Sequence, residues 1–148
     1  MSLGDRPVTW HRDDLTVTTD RAIIPVDAAL ALVRTTFWGT EMTREQLARA
    51  IENSVSFGLL DGSRLVGFGR VVSDLATYAY WTDVVIAEEL RGRGHGEWLA
   101  RCMLEHPDLQ GLRRVSLVTR DAEWFYRRLL FTSDLAGLTY LERRPEKR

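Results

Sequence analysis

The spacing of apolar and polar residues predicts short strands and amphipathic helices in the first third of the chain. Residues 15–19 alternate and are rich in β-branched side chains, which is typical of a strand at the edge of a sheet. After them the period changes, and Leu30, Val33 and Phe37 fall on one face of a predicted helix. We expect this helix to begin at Pro25 and to end near residues 38–39.

A capping pattern and a turn signal predict the next elements. Thr43 is followed three residues later by Gln46, the spacing of a capping box, so a second helix is expected to begin there. Residues 55–60 and 64–72 then form a predicted β-hairpin around Asp61-Gly62-Ser63.

The segment 78–86 is the most apolar strand of the chain. It is interrupted only by Asp83, and we expect it to lie in the centre of the sheet with both faces covered. Beyond it the pattern predicts a helix that ends at His106, a strand at 112–119, a helix at 122–130 and a last strand at 137–142. The order β-α-α-β-β-β-α-β-α-β predicts an α/β (α+β) domain with a mixed sheet of six to seven strands and about four helices.

Composition narrows the class of protein. The chain has 148 residues, a length typical of one domain, and it is 45% hydrophobic and 28% charged, as globular proteins are. We therefore expect a single domain over residues 1–148 with its core at about 15–142. The formal net charge of −1 argues against nucleic acid and anionic membranes as partners.

Cysteine content and hydropathy bear on the cellular setting. The single cysteine, Cys102, excludes an intrachain disulfide and a multi-cysteine zinc site, and we expect no metal. No apolar run approaches the roughly 20 residues that span a bilayer, and the first residues do not read as a signal peptide. These features predict a cytoplasmic protein.

The glycine-rich loop that follows the apolar strand carries the candidate chemistry. In Arg91-Gly92-Arg93-Gly94-His95-Gly96, three glycines alternate with charged or polar residues just before a helix. Glycine lets a ligand approach the main chain, and the first turn of a helix offers unpaired N–H groups to an anion. We therefore predict a pyrophosphate-binding loop, although neither the P-loop nor the dinucleotide fingerprint fits the spacing.

The loop matches Arg/Gln-x-x-Gly-x-Gly/Ala, and the chain resembles the GNAT superfamily of acetyl-CoA-dependent N-acetyltransferases. The resemblance continues into the last predicted helix, where the family commonly has Tyr, three residues and Gly-Phe. Tyr126 and Phe131 keep their places, whereas Leu130 replaces the glycine. The resemblance implies two central parallel strands that separate, with the pantetheine arm of the coenzyme in the gap.

The resemblance also implies site residues. Acetyl-CoA, the cosubstrate, would be held by the loop through its pyrophosphate and by the preceding strand through its pantetheine and acetyl groups. The implied cofactor-binding residues are Val84, Val85, Ile86, Arg91, Gly92, Arg93, Gly94, His95, Gly96 and Glu97.

Two residues are candidates for catalysis. Tyr126 matches the family tyrosine near the coenzyme sulfur and would hydrogen-bond or protonate the leaving thiolate; the alternative is an aromatic residue that only packs. Asp83 is the first choice for the base that deprotonates the amine. Burying a carboxylate within an apolar strand costs free energy unless the group is paired or has a catalytic role. A buried aspartate satisfied by backbone or arginine is an equal alternative.

The resemblance implies acetyl transfer to a primary amine by direct attack, and the lack of a long basic or acidic stretch favours a small-molecule acceptor. A protein N-terminal or lysine acetyltransferase stays open, as do a CoA-binding regulatory or sensor module without turnover and an interaction domain whose loop binds nothing. Aromatic residues on the first helix and the central strand are candidates for the acceptor pocket. The sequence also leaves open whether the chain forms a homodimer.

Overall fold

The structure, a computed structural model, describes residues 5–145. The expectation that the first residues do not form a signal peptide falls partly on residues outside this range. The elements are β1 (Thr9–Arg12), β2 (Leu15–Thr18), α1 (Val26–Val33), α2 (Arg44–Glu52), β3 (Val55–Asp61), β4 (Arg64–Ser73), β5 (Tyr78–Ile86), α3 (His95–Glu105), β6 (Arg114–Ser116) and α4 (Glu123–Arg127). The α/β class and the mixed sheet are confirmed. Contacts divide the chain into two units, one up to Val118 that holds the sheet and α1–α3, and one from Thr119 that holds α4.

The sheet has six strands in the described residues, in the spatial order β1-β2-β3-β4-β5-β6. Neighbours are antiparallel as far as β5, and β5 and β6 are parallel across the α3 crossover. The prediction that residues 15–19 form the edge of the sheet is wrong. Strand β1 pairs with the outer side of β2 and is itself the edge strand. Its sequence, Thr-Trp-His-Arg, is mostly exposed and has no apolar alternation that would mark a strand.

Helix α1 is shorter than its apolar spacing predicts. Thr36 Oγ1 donates to the carbonyl of Val33 at 2.6 Å and accepts from the N–H of Gly39 at 3.1 Å. A threonine side chain that bonds the backbone in this way offers an alternative to continued helix, and α1 ends at Val33. Phe37, predicted on the buried face, is instead 51% exposed.

The capping box of α2 is confirmed. Thr43 Oγ1 accepts from the N–H of Gln46 at 3.1 Å, and Gln46 Oε1 accepts from the N–H of Thr43 at 3.0 Å. The two reciprocal bonds satisfy donors that a helix start leaves unpaired. The local sequence therefore fixes where α2 begins.

Strand β5 has the predicted bounds, and both α1 and α3 contact it. Buried and half-buried side chains alternate along it, and Ala79, Trp81, Asp83 and Val85 are the buried ones. In spatial order β5 is the fifth of the six strands, next to β6 at the edge of the described sheet, rather than in its centre.

The last predicted strand, residues 137–142, is absent. Ala136 and Gly137 have positive φ angles of 53° and 83° and form a turn, and within the described residues no strand pairs with the segment that follows. Leu138 and Leu141 are 59% and 86% exposed. Its apolar alternation predicts a strand, but a strand also needs a neighbour to bond its backbone.

Candidate functional site

The parallel strands β5 and β6 are joined over a short length only. Tyr78, Ala79 and Tyr80 pair with Arg114, Val115 and Ser116, and the two strands then separate. From Thr82 to Ile86, the side of β5 that faces away from β4 has no strand partner in residues 5–145. This separation confirms the gap that the family resemblance implied, and it leaves main-chain groups for a ligand to bond.

The glycine-rich loop between β5 and α3 presents a run of unpaired donors. Within the described part of the chain, the main-chain N–H groups from Gly92 to Gly96 have no hydrogen-bond acceptor. Gly94 is the N-cap of α3 and has a left-handed backbone with φ 83°. A Cβ added at Gly92 or Gly94 would meet nothing within 4 Å, so the space over both residues is open.

Two arginines bring positive charge to the first half of this loop. Arg91 and Arg93 are exposed, and Arg91 Nε donates to the carbonyl of Ile86 at 3.0 Å. That bond ties the start of the loop to the end of β5. With the positive end of the α3 dipole, the loop has the charge and the donors that a phosphate requires.

A bulge interrupts β5 two residues before its end. Between the pairs Phe68–Val85 and Arg70–Thr82, β4 contributes Gly69 alone whereas β5 contributes two residues. The first of these is Asp83, which has a left-handed φ of 56°. The bulge therefore lies within the stretch of β5 predicted to hold the coenzyme.

Asp83 is buried and engaged through both carboxylate oxygens. Oδ2 accepts from Arg70 Nε at 2.7 Å, and Oδ1 accepts from Trp38 Nε1 at 3.1 Å. The side chain of Asp83 is 2% exposed and that of Arg70 is 11% exposed. This geometry matches the paired aspartate that sequence reasoning held as an alternative to the base.

Tyr126 lies in the second unit, on α4. The turn after α4 has the two bonds of a Schellman motif: the N–H of Phe131 donates to the carbonyl of Tyr126 at 3.1 Å, and the N–H of Leu130 donates to that of Arg127 at 3.0 Å. The rings of Tyr126 and Phe131 meet at 5.7 Å between centroids. Burial raises the pKa of Tyr126 to about 12, so the phenol stays protonated at neutral pH.

The structure brings the ten predicted coenzyme-binding residues together on one continuous strand, loop and helix start. Sequence reasoning missed Arg70. Its signal was a charged residue inside the otherwise apolar 64–72 strand, the counterpart of Asp83 in the next strand.

Cys102 is buried in α3, and burial raises the pKa of its thiol to about 12, which fits a residue of the core.

Two further observations concern the described residues. None of their helices combines the length and the hydropathy needed to cross a membrane. Residues 5–145 also hold no cluster of three or more His, Cys, Asp or Glu side chains arranged to bind a metal ion.

A mixed sheet whose parallel strands β5 and β6 separate beside a glycine-rich helix start is the architecture that the resemblance to the acyltransferases implied. The sequence model of the Acetyltransferase (GNAT) family matches residues 26–130. The chain belongs to this family, and it is an acyltransferase enzyme.

Individual relatives agree with this assignment. A Gibberella zeae protein whose name describes it as a candidate acetyltransferase, FG08082, is 33% identical over 139 residues, which cover 78% of this chain and 77% of the relative. A crystal structure of a GNAT-family protein from Xanthomonas campestris pv. campestris has a TM-score of 0.83 and 39% identity, and covers 88% of this chain and 93% of its own. A GNAT acetyltransferase from Elizabethkingia anophelis, solved with acetyl-CoA bound, shares the fold with a TM-score of 0.60 at 12% identity, over 80% of this chain and 74% of its own.

Proposed function

We propose that the protein transfers an acetyl group from acetyl-CoA to the primary amine of a small molecule by direct attack. The observation that carries this proposal is the run of unpaired N–H groups from Gly92 to Gly96 at the start of α3. A diphosphate is the ligand that such donors and the helix dipole accommodate best. The acetyl-CoA bound to the Elizabethkingia anophelis relative supports the choice of coenzyme.

The residues present fit this coenzyme on two counts. The space over Gly92 and Gly94 is open, so phosphate oxygens can reach the main chain, and Arg91 and Arg93 add charge beside it. The unpaired side of β5 from Val84 to Ile86 offers amide partners to the amides of the pantetheine arm. The coenzyme supplies the activated acetyl thioester, and these main-chain groups hold it in place.

Tyr126 is proposed to donate a hydrogen bond to the leaving sulfur. An alkyl thiol has a pKa of about 8.5, whereas burial raises the pKa of Tyr126 to about 12. Full proton transfer from this phenol to a thiolate is therefore uphill by roughly 3 to 4 pK units, on the order of 5 kcal/mol. Hydrogen bonding to the developing charge needs no such transfer and is the role that we propose.

The base for the amine is not assigned in this proposal. Asp83 stays a prediction for that role, and its two oxygens are already bonded to Arg70 and Trp38. A base must face the proton that it removes. The pH dependence of transfer in an Asp83→Asn variant tests the prediction, and an unchanged profile would exclude it.

An acceptor with an apolar body fits the surface beside the bulge. Phe37 and Trp38 are 51% and 48% exposed, and their rings pack edge to face at 5.0 Å. The bond from Trp38 to Asp83 places this pair of rings next to β5. Half-exposed aromatic rings of this kind suit a small amine with a hydrophobic or aromatic substituent.

Calorimetric titration with coenzyme A tests the coenzyme site. We expect binding by the wild type and at least a tenfold loss in Gly94→Ala, because a Cβ there enters the open space over the loop and disfavours φ 83°. Gly111→Ala is the matched control, since Gly111 has φ 73° and equally open surroundings outside the loop. Equal affinities in all three proteins would refute the loop as the diphosphate site.

A panel of amines with acetyl-CoA, read by release of free thiol, tests the reaction. Turnover with small amines supports the proposal. Turnover only with peptide amines would show that the acceptor is a protein or peptide rather than a small molecule. Coenzyme binding without turnover on either panel would indicate a regulatory or sensor module. Tyr126→Phe should lower turnover while coenzyme affinity is kept, and an unaltered rate would remove Tyr126 from the mechanism.

A further inference from the structure

A buried polar cluster lies against the bulge of β5. It consists of Asp83, Arg70, Trp38 and Ser54, and we call it the bulge cluster. Arg70 donates to Asp83 from Nε at 2.7 Å and to Ser54 Oγ from Nη1 at 3.4 Å, and Trp38 donates to Asp83 at 3.1 Å. Burying a carboxylate is costly unless it is paired, and here both oxygens have donors.

The backbone at the bulge is one that an isolated chain would avoid. Asp83 has a left-handed φ of 56°, a conformation that aspartate tolerates better than most residues but that still strains an L-amino acid. Strain of this kind persists only where the surroundings fix it. The bonds from Arg70 and Trp38 are the contacts that fix it from one face of the sheet.

Helix α3 holds the bulge from the other face. Gly69 and Arg70 are consecutive in β4, so their side-chain directions are opposite. A Cβ at Gly69 would lie 3.0 Å from Met103 Sδ and 3.6 Å from Val84 Cγ2. Helix α3, which begins at the glycine-rich loop, therefore packs against Gly69, the β4 residue opposite the bulge, on the side where Val84 Cγ2 also lies.

We propose that Asp83 is a positioning residue: its bonds to Arg70 and Trp38 lock the bulge and so set the direction of the Val84 and Val85 main-chain groups. This inference rests on the proposed function, in which those groups hold the pantetheine and acetyl part of the coenzyme. The lock also joins the segment between α1 and α2 to β5, because Trp38 comes from that segment. Coenzyme affinity then depends on an indole that lies outside the coenzyme-binding residues.

Coenzyme A titration of three variants tests the lock. Trp38→Phe keeps an aromatic ring at a half-exposed position but removes the N–H donor, and Asp83→Ala removes both acceptors. We expect each to weaken coenzyme A binding about tenfold. Asp83→Asn can still accept from Trp38 and suits a left-handed backbone, but its amide nitrogen cannot accept from Arg70, so its loss of affinity should be measurable and smaller than that of Asp83→Ala.

Two controls separate positioning from a merely structural effect. Trp124→Phe removes another exposed indole, 64% exposed on α4, and should bind coenzyme A as the wild type does. Val17→Ala destabilises the fold by truncating a fully buried side chain on β2, which β3 and β4 separate from β5, and it should also leave affinity unchanged. An affinity loss in Val17→Ala as large as that in Trp38→Phe would attribute the effect to stability alone and overturn the lock.

The remaining outcomes are also distinguishable. Wild-type protein that fails to bind coenzyme A overturns the proposed function itself. Wild-type binding with unchanged affinity in Trp38→Phe and Asp83→Ala overturns the positioning role while the proposed function stands. Turnover abolished in Asp83→Asn, with coenzyme affinity kept in all three variants, would instead make Asp83 the base.

Discussion

At the scale of single residues, Leu130 stands where a glycine would be expected. It follows α4 at the left-handed position of the Schellman motif, with φ 71°, and its side chain is 91% exposed. The turn thus keeps the geometry of the family pattern although the residue differs. An L-residue in this conformation costs about 1–2 kcal/mol relative to glycine.

Leu130→Gly should therefore raise the free energy of unfolding by about 1 kcal/mol, measured by urea denaturation. Leu130→Ala is the matched control, because alanine loses the exposed side chain but keeps the Cβ that causes the strain. It should give little or no gain. A similar gain in both variants would mean that removal of the exposed leucine, rather than relief of the backbone, stabilises the protein.

His106 gives the fold a defined dependence on pH. It is fully buried, its Nδ1 accepts from the N–H of Asp108 at 3.1 Å, and its Nε2 has no partner in the described residues. Burial lowers the pKa of His106, and the charge of Asp108 opposes this only in part. The folded protein therefore holds the imidazole neutral where the unfolded chain would protonate it.

Stability should fall as the pH drops below about 6.5, the value for an unperturbed histidine, and should level off below the lowered pKa of the folded state. Urea denaturation between about pH 7.5 and pH 5.5 measures the drop. His106→Asn keeps an acceptor for Asp108 but does not titrate, so its drop should be smaller although its absolute stability is lower. An equal drop in both proteins would assign the effect to other groups.

At the scale of elements, local signals predicted helix starts better than helix ends. The capping box at Thr43 and the bounds of β5 follow from the sequence, because each depends on residues close in the chain. The early end of α1 depends on the Thr36 side chain bonding the backbone, which apolar spacing does not reveal. The absent strand at 137–142 depends on a partner strand, which no local pattern specifies.

Thr43→Ala should lower the free energy of unfolding by about 1 kcal/mol, because it removes the acceptor for the N–H of Gln46. Thr40→Ala serves as the control, since Thr40 is an exposed threonine in the preceding turn. Urea denaturation of both variants measures the difference. Equal effects would show that the cap contributes nothing beyond an exposed threonine.

At the scale of the whole molecule, most of the candidate site is local in sequence and was predictable for that reason. The loop from Arg91 to Gly96 and the strand before it lie close together in the chain, so the glycine pattern and the family resemblance together point to them. The bulge cluster is different, because Trp38 and Asp83 are 45 residues apart and meet only in the fold. Sequence reasoning identified the unusual buried carboxylate but could not choose between its two interpretations.

Coenzyme A should stabilise the folded chain if it binds as proposed. At a free concentration about 100 times its dissociation constant, the gain is about 2.7 kcal/mol. For a chain of this size the melting temperature should rise by roughly 5–10 °C. Thermal denaturation measures the shift, and the Gly94→Ala variant at the same coenzyme concentration should show a smaller one.

The three residue pairs that join β5 to β6 also set how the amide hydrogens of β5 exchange with solvent. From Thr82 onward, the amides directed at β4 are protected by a neighbouring strand, whereas those directed at the gap have no strand beside them in the described residues. In deuterium oxide, adjacent positions of one strand should therefore differ widely in exchange rate. Coenzyme A would slow the fast set alone, and this would show which amides the coenzyme occupies.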